Sequence, residues 1–252
     1  METKRARFSR ILMEDMFQVK AGETVAITSD LGTDRETIDA MAQAAMNAGA
    51  FPLVMYIPQA KKDGQAGMVD WPAEALTAAL LKADVWIEAN SVVILYSDIW
   101  ETAMRDNKKL RYLIIAESTI DSLDRVFTGY KIADLKKLLL PLTNMAKKCN
   151  TVRITSSNGT DVSYDIDTNY TFDYDDGDFS VPKFGTAPGF VNIVPKLNSM
   201  NGRIVFDYLQ HAELYNKVEF VMRDGVITEV AGEGATQFKE YLSSWDDENM
   251  YK

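Results

Sequence analysis

Histidine and cysteine are almost missing from this chain: its 252 residues include one of each, His211 and Cys149. A lone cysteine closes no internal disulfide and suits a reducing compartment, so a cytoplasmic location is expected. Catalytic triads and most zinc or iron sites need at least one histidine, usually with Cys, His or carboxylate partners, and one histidine with one cysteine leaves too few donors for this chain to hold a transition metal alone. HExxH, GxSxG and CxxC do not occur, and neither do GxGxxG or a Walker loop. No apolar run approaches the roughly 20 residues that a membrane span needs. The basic opening is interrupted by Glu14 and Asp15 before it resembles a secretory signal. Positive charge is also short: 27 Lys and Arg face 37 Asp and Glu, a formal net charge of −10. Such a surface repels phosphate backbones, so no nucleic-acid partner is expected.

What is present is ordinary globular material, 46% hydrophobic and 25% charged, and it predicts a packed core. Phe8, Ile11, Leu12 and Met16 recur at helical spacing and predict an opening amphipathic helix. Val25 to Ser29 reads as a buried strand. Thr33 with Glu36 fits a capping box, and Ile38, Met41, Ala42, Ala45 and Met46 then share one helix face until Gly49. Phe51 to Ile57 is the next strand, which completes a βαβ unit with a right-handed crossover. The alternation continues with helices over 74–83 and 97–105 and strands over 84–88 and 112–116. A helix over 132–148 carries Pro141, which predicts a kink or two pieces.

After Cys149 the pattern changes to strands. Residues 151–155 and 162–167 flank Asn158-Gly159 as a hairpin. The stretch 168–190 is polar and reads as a long loop. Strands follow over 202–207, 217–223 and 226–230, the last two joined by Asp224-Gly225, and a short helix covers 235–242. The expected fold is α/β: a doubly wound parallel-sheet domain over 1–148, then a β-rich α+β domain over 149–252.

The turn Ser29 to Asp34 lies at a carboxyl end of the parallel sheet, where ligands often bind. Asp30 and Asp34 disfavour a phosphate there, and helix capping accounts for Thr33 and Asp34. His211, between two strands near Tyr208 and Glu213, reads as a surface or packed residue. Cys149 reads as a packed or edge thiol. The acidic run Asp173 to Asp178 fails as a calcium-binding EF-hand loop, because its sixth and twelfth positions hold Asp178 and Phe184. A solvated loop is the plain reading.

Three stretches of the second half carry a resemblance: Gly189 to Pro195 (GFVNIVP), Asn201 to Asp207 (NGRIVFD), and Val218 to Gly232 (VEFVMRDGVITEVAG). Together with Gly22 to Ile27 and Gly49 to Pro58 in the first half, their order and spacing resemble the 2,5-dihydroxypyridine 5,6-dioxygenases. They also resemble the related aminopeptidase T-type metallopeptidases. The resemblance implies a metal-dependent enzyme acting on a small molecule, either a ring-cleaving dioxygenase of hydroxylated N-heteroaromatics or an aminopeptidase. A metal-free binding or assembly module is the non-enzymatic alternative. It further implies Fe(II), or else zinc, cobalt or manganese, with ligands expected past Lys252, and a homo-oligomer. The segment Ile94 to Ser97 is similar to one where the dioxygenases have His followed by Ser; here Tyr96 stands in the place of that His. Tyr96, Ser97 and Phe190 are the substrate-side positions that the resemblance implies. Phe190, where the peptidases often carry an acid, favours the dioxygenase branch.

Overall fold

The computed structural model describes residues 2–115, 118–186, 188–211, 213–245 and 247–251, without the side chains of 210, 211, 213, 214 and 248. In chain order the first elements are α1 (Lys4–Ile11), a π turn (Leu12–Met16), β1 (Thr24–Ser29), α2 (Arg35–Asn47) and β2 (Phe51–Tyr56). A 3-10 turn (Gly64–Asp70), α3 (Ala73–Leu80), β3 (Val85–Glu88), α4 (Asp98–Asp106) and β4 (Arg111–Ile114) follow. Next are α5 (Ile120–Thr128), α6 (Ile132–Ala146), β5 (Thr151–Thr155), β6 (Asp161–Asp165), β7 (Tyr174–Asp175), β8 (Lys183–Gly185) and β9 (Phe190–Val191). The chain finishes with β10 (Asn201–His211), β11 (Glu213–Arg223), β12 (Val226–Ala231), α7 (Ala235–Ser243) and a 3-10 turn (Glu248–Tyr251).

Two compact units result: Met1–Leu140 with Tyr174–Phe190, and Pro141–Asp173 with Val191–Lys252. The chain first crosses between the units at 140/141, within α6. Residues 174–190 return to the first unit, which a single cut does not describe.

The first unit is built on a parallel sheet of order β2-β1-β3-β4-β8. Its central strands are buried on both faces, so alternate residues feed two cores. Val25 and Ile27 of β1, Val85 and Ile87 of β3 and Leu113 of β4 point to one side. There they meet Phe8 and Leu12 of the N-terminal helix, Ile38 and Met41 of α2, and Leu123 and Phe127 of α5. Ala26, Trp86 and Tyr112 point to the other side, against Leu76 and Leu80 of α3 and Ile99 and Ala103 of α4. Helices on both faces make this the doubly wound arrangement that the alternation predicts.

The second unit is an antiparallel sheet of order β12-β11-β10-β6-β5. Asp224 (φ +48°) and Gly225 (φ +78°) make the β11–β12 turn in the left-handed region, as an Asp-Gly pair permits. Val218, Phe220, Met222 and Val230 present one face of this sheet to Phe238 and Leu242 of α7.

Three expectations are corrected. Residues 168–190 are not one long loop: they carry β7, β8 and β9, and β8 pairs parallel with β4 through Lys183–Arg111, Phe184–Tyr112 and Gly185–Leu113. A three-residue edge strand is too short to print a periodicity. The cap of α2 is Asp34, whose carboxylate accepts from the Glu36 N–H; Thr33 instead donates to the Ala89 carbonyl at 2.6 Å. Finally, no helix is read from residues 117–131, yet α5 lies there. α6 runs through Pro141 as one helix.

Candidate functional site

The strand order places a topological switch between β1 and β3. From β1 the chain crosses to β2 on one side, and from β3 to β4 on the other. Loops leaving the carboxyl ends of two such strands diverge, and the crevice between them is the usual ligand position in open α/β sheets. Here the crevice floor is tied by Asp30, which is 2% exposed. Its carboxylate accepts from the backbone N–H groups of Gly32 (2.9 Å), Ser91 (2.9 Å) and Val92 (3.3 Å) and from the Ser91 hydroxyl at 2.9 Å. Asp30 therefore pins the loop after β3 to the loop after β1, and this role occupies its oxygens.

Glu88, the last residue of β3, is fully buried. One oxygen accepts from the Tyr112 hydroxyl at 2.6 Å, the other from the Ile94 N–H, and the Leu95 N–H adds a third donor. No cation is among these partners. Burial pushes the Glu88 carboxyl up to about 7, against the downward pull of the Tyr112 hydroxyl and the two N–H groups. The same burial, with the Glu88 charge beside it, drives the Tyr112 phenol far above its ordinary range.

Directly after these pinned amides comes Tyr96, whose backbone is left-handed (φ +64°) and whose side chain is 66% exposed. That conformation is uncommon for a bulky residue and persists only where neighbours impose it. Ser97 is fully buried, and its hydroxyl accepts from the Trp100 N–H at 3.4 Å, capping α4. Trp100 gathers three rings: Tyr96 at 5.5 Å, Tyr112 at 6.3 Å and Phe184 of β8 at 5.7 Å, all edge-to-face. Its buried indole N–H has no hydrogen-bond partner among the described residues. The arrangement is an aromatic wall at the sheet's carboxyl end, half-exposed at Tyr96 and Phe184, over a buried carboxyl.

Of the residues implied by the sequence, Tyr96 and Ser97 thus fall together. Phe190, 41% exposed in β9, joins none of the rings around Trp100 among the described contacts. The side chain of His211 lies outside the described residues. Cys149 is exposed, and its thiol donates to the Met145 carbonyl. The acidic run is not the solvated loop expected. Asp175 and Asp176 are buried beside Lys183, with N–O distances of 3.3 and 3.7 Å, and Asp178 pairs with Lys136. Two lysines thus pair with three of the four aspartates of the run. Among the described residues no three His, Cys, Asp or Glu side chains converge as a metal site. The carboxylates nearest the crevice, Asp30 and Glu88, are filled by hydrogen-bond donors, so the described donor set does not fit a metal.

A cavity of about 330 Å³ opens at this end of the first unit, between Gly32 to Asp34, Ser91 and the start of α5. Tyr96 is not one of its walls. A larger cavity of about 550 Å³ is lined by the π turn and the α5–α6 junction. None of its walls comes from a loop leaving a carboxyl end of the parallel sheet, so the chemistry is better sought at the switch point.

Glu88, Tyr112, Trp100 and Phe184 were not legible as a set, since they come from four separate elements. The available signal was a Glu ending an otherwise apolar buried strand.

Two solved structures share this fold. The 2,5-dihydroxypyridine dioxygenase from Pseudomonas putida KT2440 is 20% identical, with a TM-score of 0.80 over 98% of this chain and 73% of that one. The wild-type AmpT from Thermus thermophilus is 13% identical, with a TM-score of 0.63 over 99% of this chain and 76% of that one. No curated protein sequence matches. A profile of the NicX family, described as 2,5-dihydroxypyridine 5,6-dioxygenase, matches residues 8–252, nearly the whole of both units. Membership of a dioxygenase family implies a metal cofactor and a small-molecule substrate, and the match assigns the chain: it belongs to the 2,5-dihydroxypyridine 5,6-dioxygenase family.

Proposed function

We propose that this protein is a metal-dependent, ring-cleaving dioxygenase acting on a hydroxylated N-heteroaromatic small molecule. The observation that carries the reading is the family match over residues 8–252. Iron(II) is the metal proposed, with zinc, cobalt or manganese as the alternatives. Among the described residues no set of three His, Cys, Asp or Glu side chains converges to hold it, so no step is routed through it.

This chain's own residues support the binding side. Tyr96 offers a hydroxyl that donates and accepts hydrogen bonds toward ring oxygens. Its ring, braced on Trp100, gives a planar substrate an aromatic edge. Ser97 acts through the α4 cap, and Phe190 supplies an apolar surface. A phenol in place of the imidazole changes the hydrogen bonds and proton transfer available at this position, so a hydroxylated ring other than 2,5-dihydroxypyridine itself is favoured. The protein is proposed to be cytoplasmic and a homo-oligomer.

The test is aerobic turnover of a panel of hydroxylated pyridines by the iron-loaded protein, read as loss of the ring absorbance with dioxygen uptake and abolished by chelation. Peptide hydrolysis in the same metal-loaded sample would replace this reading with the aminopeptidase one. Inactivity on both panels without stoichiometric metal would leave a binding or assembly module.

A further inference from the structure

We infer that Glu88 is a positioning residue: its buried carboxyl, held between Tyr112 and the amides of Ile94 and Leu95, sets the backbone that presents Tyr96. The inference rests on the proposed substrate-side role of Tyr96, but its structural half stands apart from that role.

A carboxyl with no cation beside it is a costly thing to bury, and an apolar residue would fill a strand end more cheaply. What Glu88 supplies that an apolar residue cannot is acceptors for two consecutive amides, immediately before the left-handed Tyr96. The other side of the same loop is held equally tightly. Asp63 accepts from the Val93 N–H at 2.8 Å, and the Gly64 N–H donates to the Val93 carbonyl at 2.8 Å. A side chain at Gly64 would approach the Leu95 carbonyl within 2.9 Å, so that turn has no slack. Glu88 is linked through Tyr112 to Trp100, and Trp100 to the Tyr96 ring. Backbone and ring of Tyr96 therefore depend on one buried group that has no exposure to a substrate.

The test compares Glu88→Leu, Glu88→Gln and Tyr112→Phe in the full chain. Amide hydrogen exchange is expected to accelerate about tenfold or more at Ile94 and Leu95 in Glu88→Leu, with β1 amides unchanged, and Glu88→Gln to restore most of the protection. KM for a hydroxylated pyridine is expected to rise about tenfold in Glu88→Leu with kcat within about threefold, the mark of lost binding geometry. Should Glu88→Leu fail to fold, Tyr112→Phe, which removes one hydroxyl, is expected to move the same amides by a smaller factor. Unchanged exchange at Ile94 and Leu95, or a loss spread evenly over the sheet, would overturn the inference, as would a fall in kcat alone. If the wild-type protein turns over no hydroxypyridine, the proposed function falls, and the exchange comparison still decides whether Glu88 positions the loop.

Discussion

Replacing Glu88 by Gln should change how the protein's stability depends on pH. The folded carboxyl titrates at about 7, against 4.5 for the ordinary group, because burial disfavours its charge. That displacement is worth about 3 kcal/mol, at roughly 1.4 kcal/mol for each tenfold change in proton affinity. The folded state holds the proton more tightly than the unfolded chain. The contribution is therefore complete below the unfolded value and is lost as pH rises through about 7. The group facing Glu88 from β4 is Tyr112, which stays protonated throughout this window, and the charge that adds to the effect is Asp63. Gln keeps the shape and an acceptor but does not titrate. From pH 5 to 8.5 the stability difference between the two proteins should shift by about 2.5 kcal/mol in favour of Gln. Urea unfolding at half-unit pH steps reads this directly, and thermal melts should show a relative gain of about 5 to 10 °C. A difference constant to within about 0.5 kcal/mol across that range, or one moving the opposite way, would refute the buried, proton-binding Glu88.

Three further outcomes are expected. Asp30→Ala strands the N–H groups of Gly32, Ser91 and Val92 and should cost about 3 kcal/mol in urea unfolding. Gly232→Ala places a side chain on the Lys217 carbonyl at φ +99° and should cost about 3 kcal/mol or more, with exchange loss concentrated in the β11–β12 pair. Ser97→Ala removes the α4 cap and should cost about 1 kcal/mol by thermal melting while raising KM for a hydroxypyridine.

Much of the first unit could be read from sequence for a physical reason. Strands β1, β3 and β4 are buried on both faces, so they appear as short continuous apolar runs between amphipathic helices. β8 escapes because Lys183, Phe184 and Gly185 form an edge, where pairing on one side suffices and composition is free. Thr33 and Asp34 are both plausible caps, and only the approach of the Ala89 carbonyl separates them. Tyr96 and Ser97 were reachable through a family resemblance, but the left-handed turn at Tyr96 was not. It depends on the carboxyl of Glu88 and the close approach of Gly64, contacts that the sequence of the turn itself does not spell out. The same holds for Asp175 and Asp176, which look solvated until Lys183 folds back over them.

The return of residues 174–190 to the first unit also bears on how the protein is made. The chain passes between the units at 140/141, 173/174 and 190/191, so no single cut releases either unit alone. On the ribosome, β1 to β4 emerge with α1 to α5, yet their sheet waits for its fifth strand until the β5–β6 hairpin has been synthesised. During that interval the β4 edge, with the Tyr112 and Trp100 rings beside it, is without Phe184 and open to wrong strands. Maturation of the aromatic wall is thereby tied to late translation. A pause placed between residues 146 and 183 would be expected to lengthen the aggregation-prone stage.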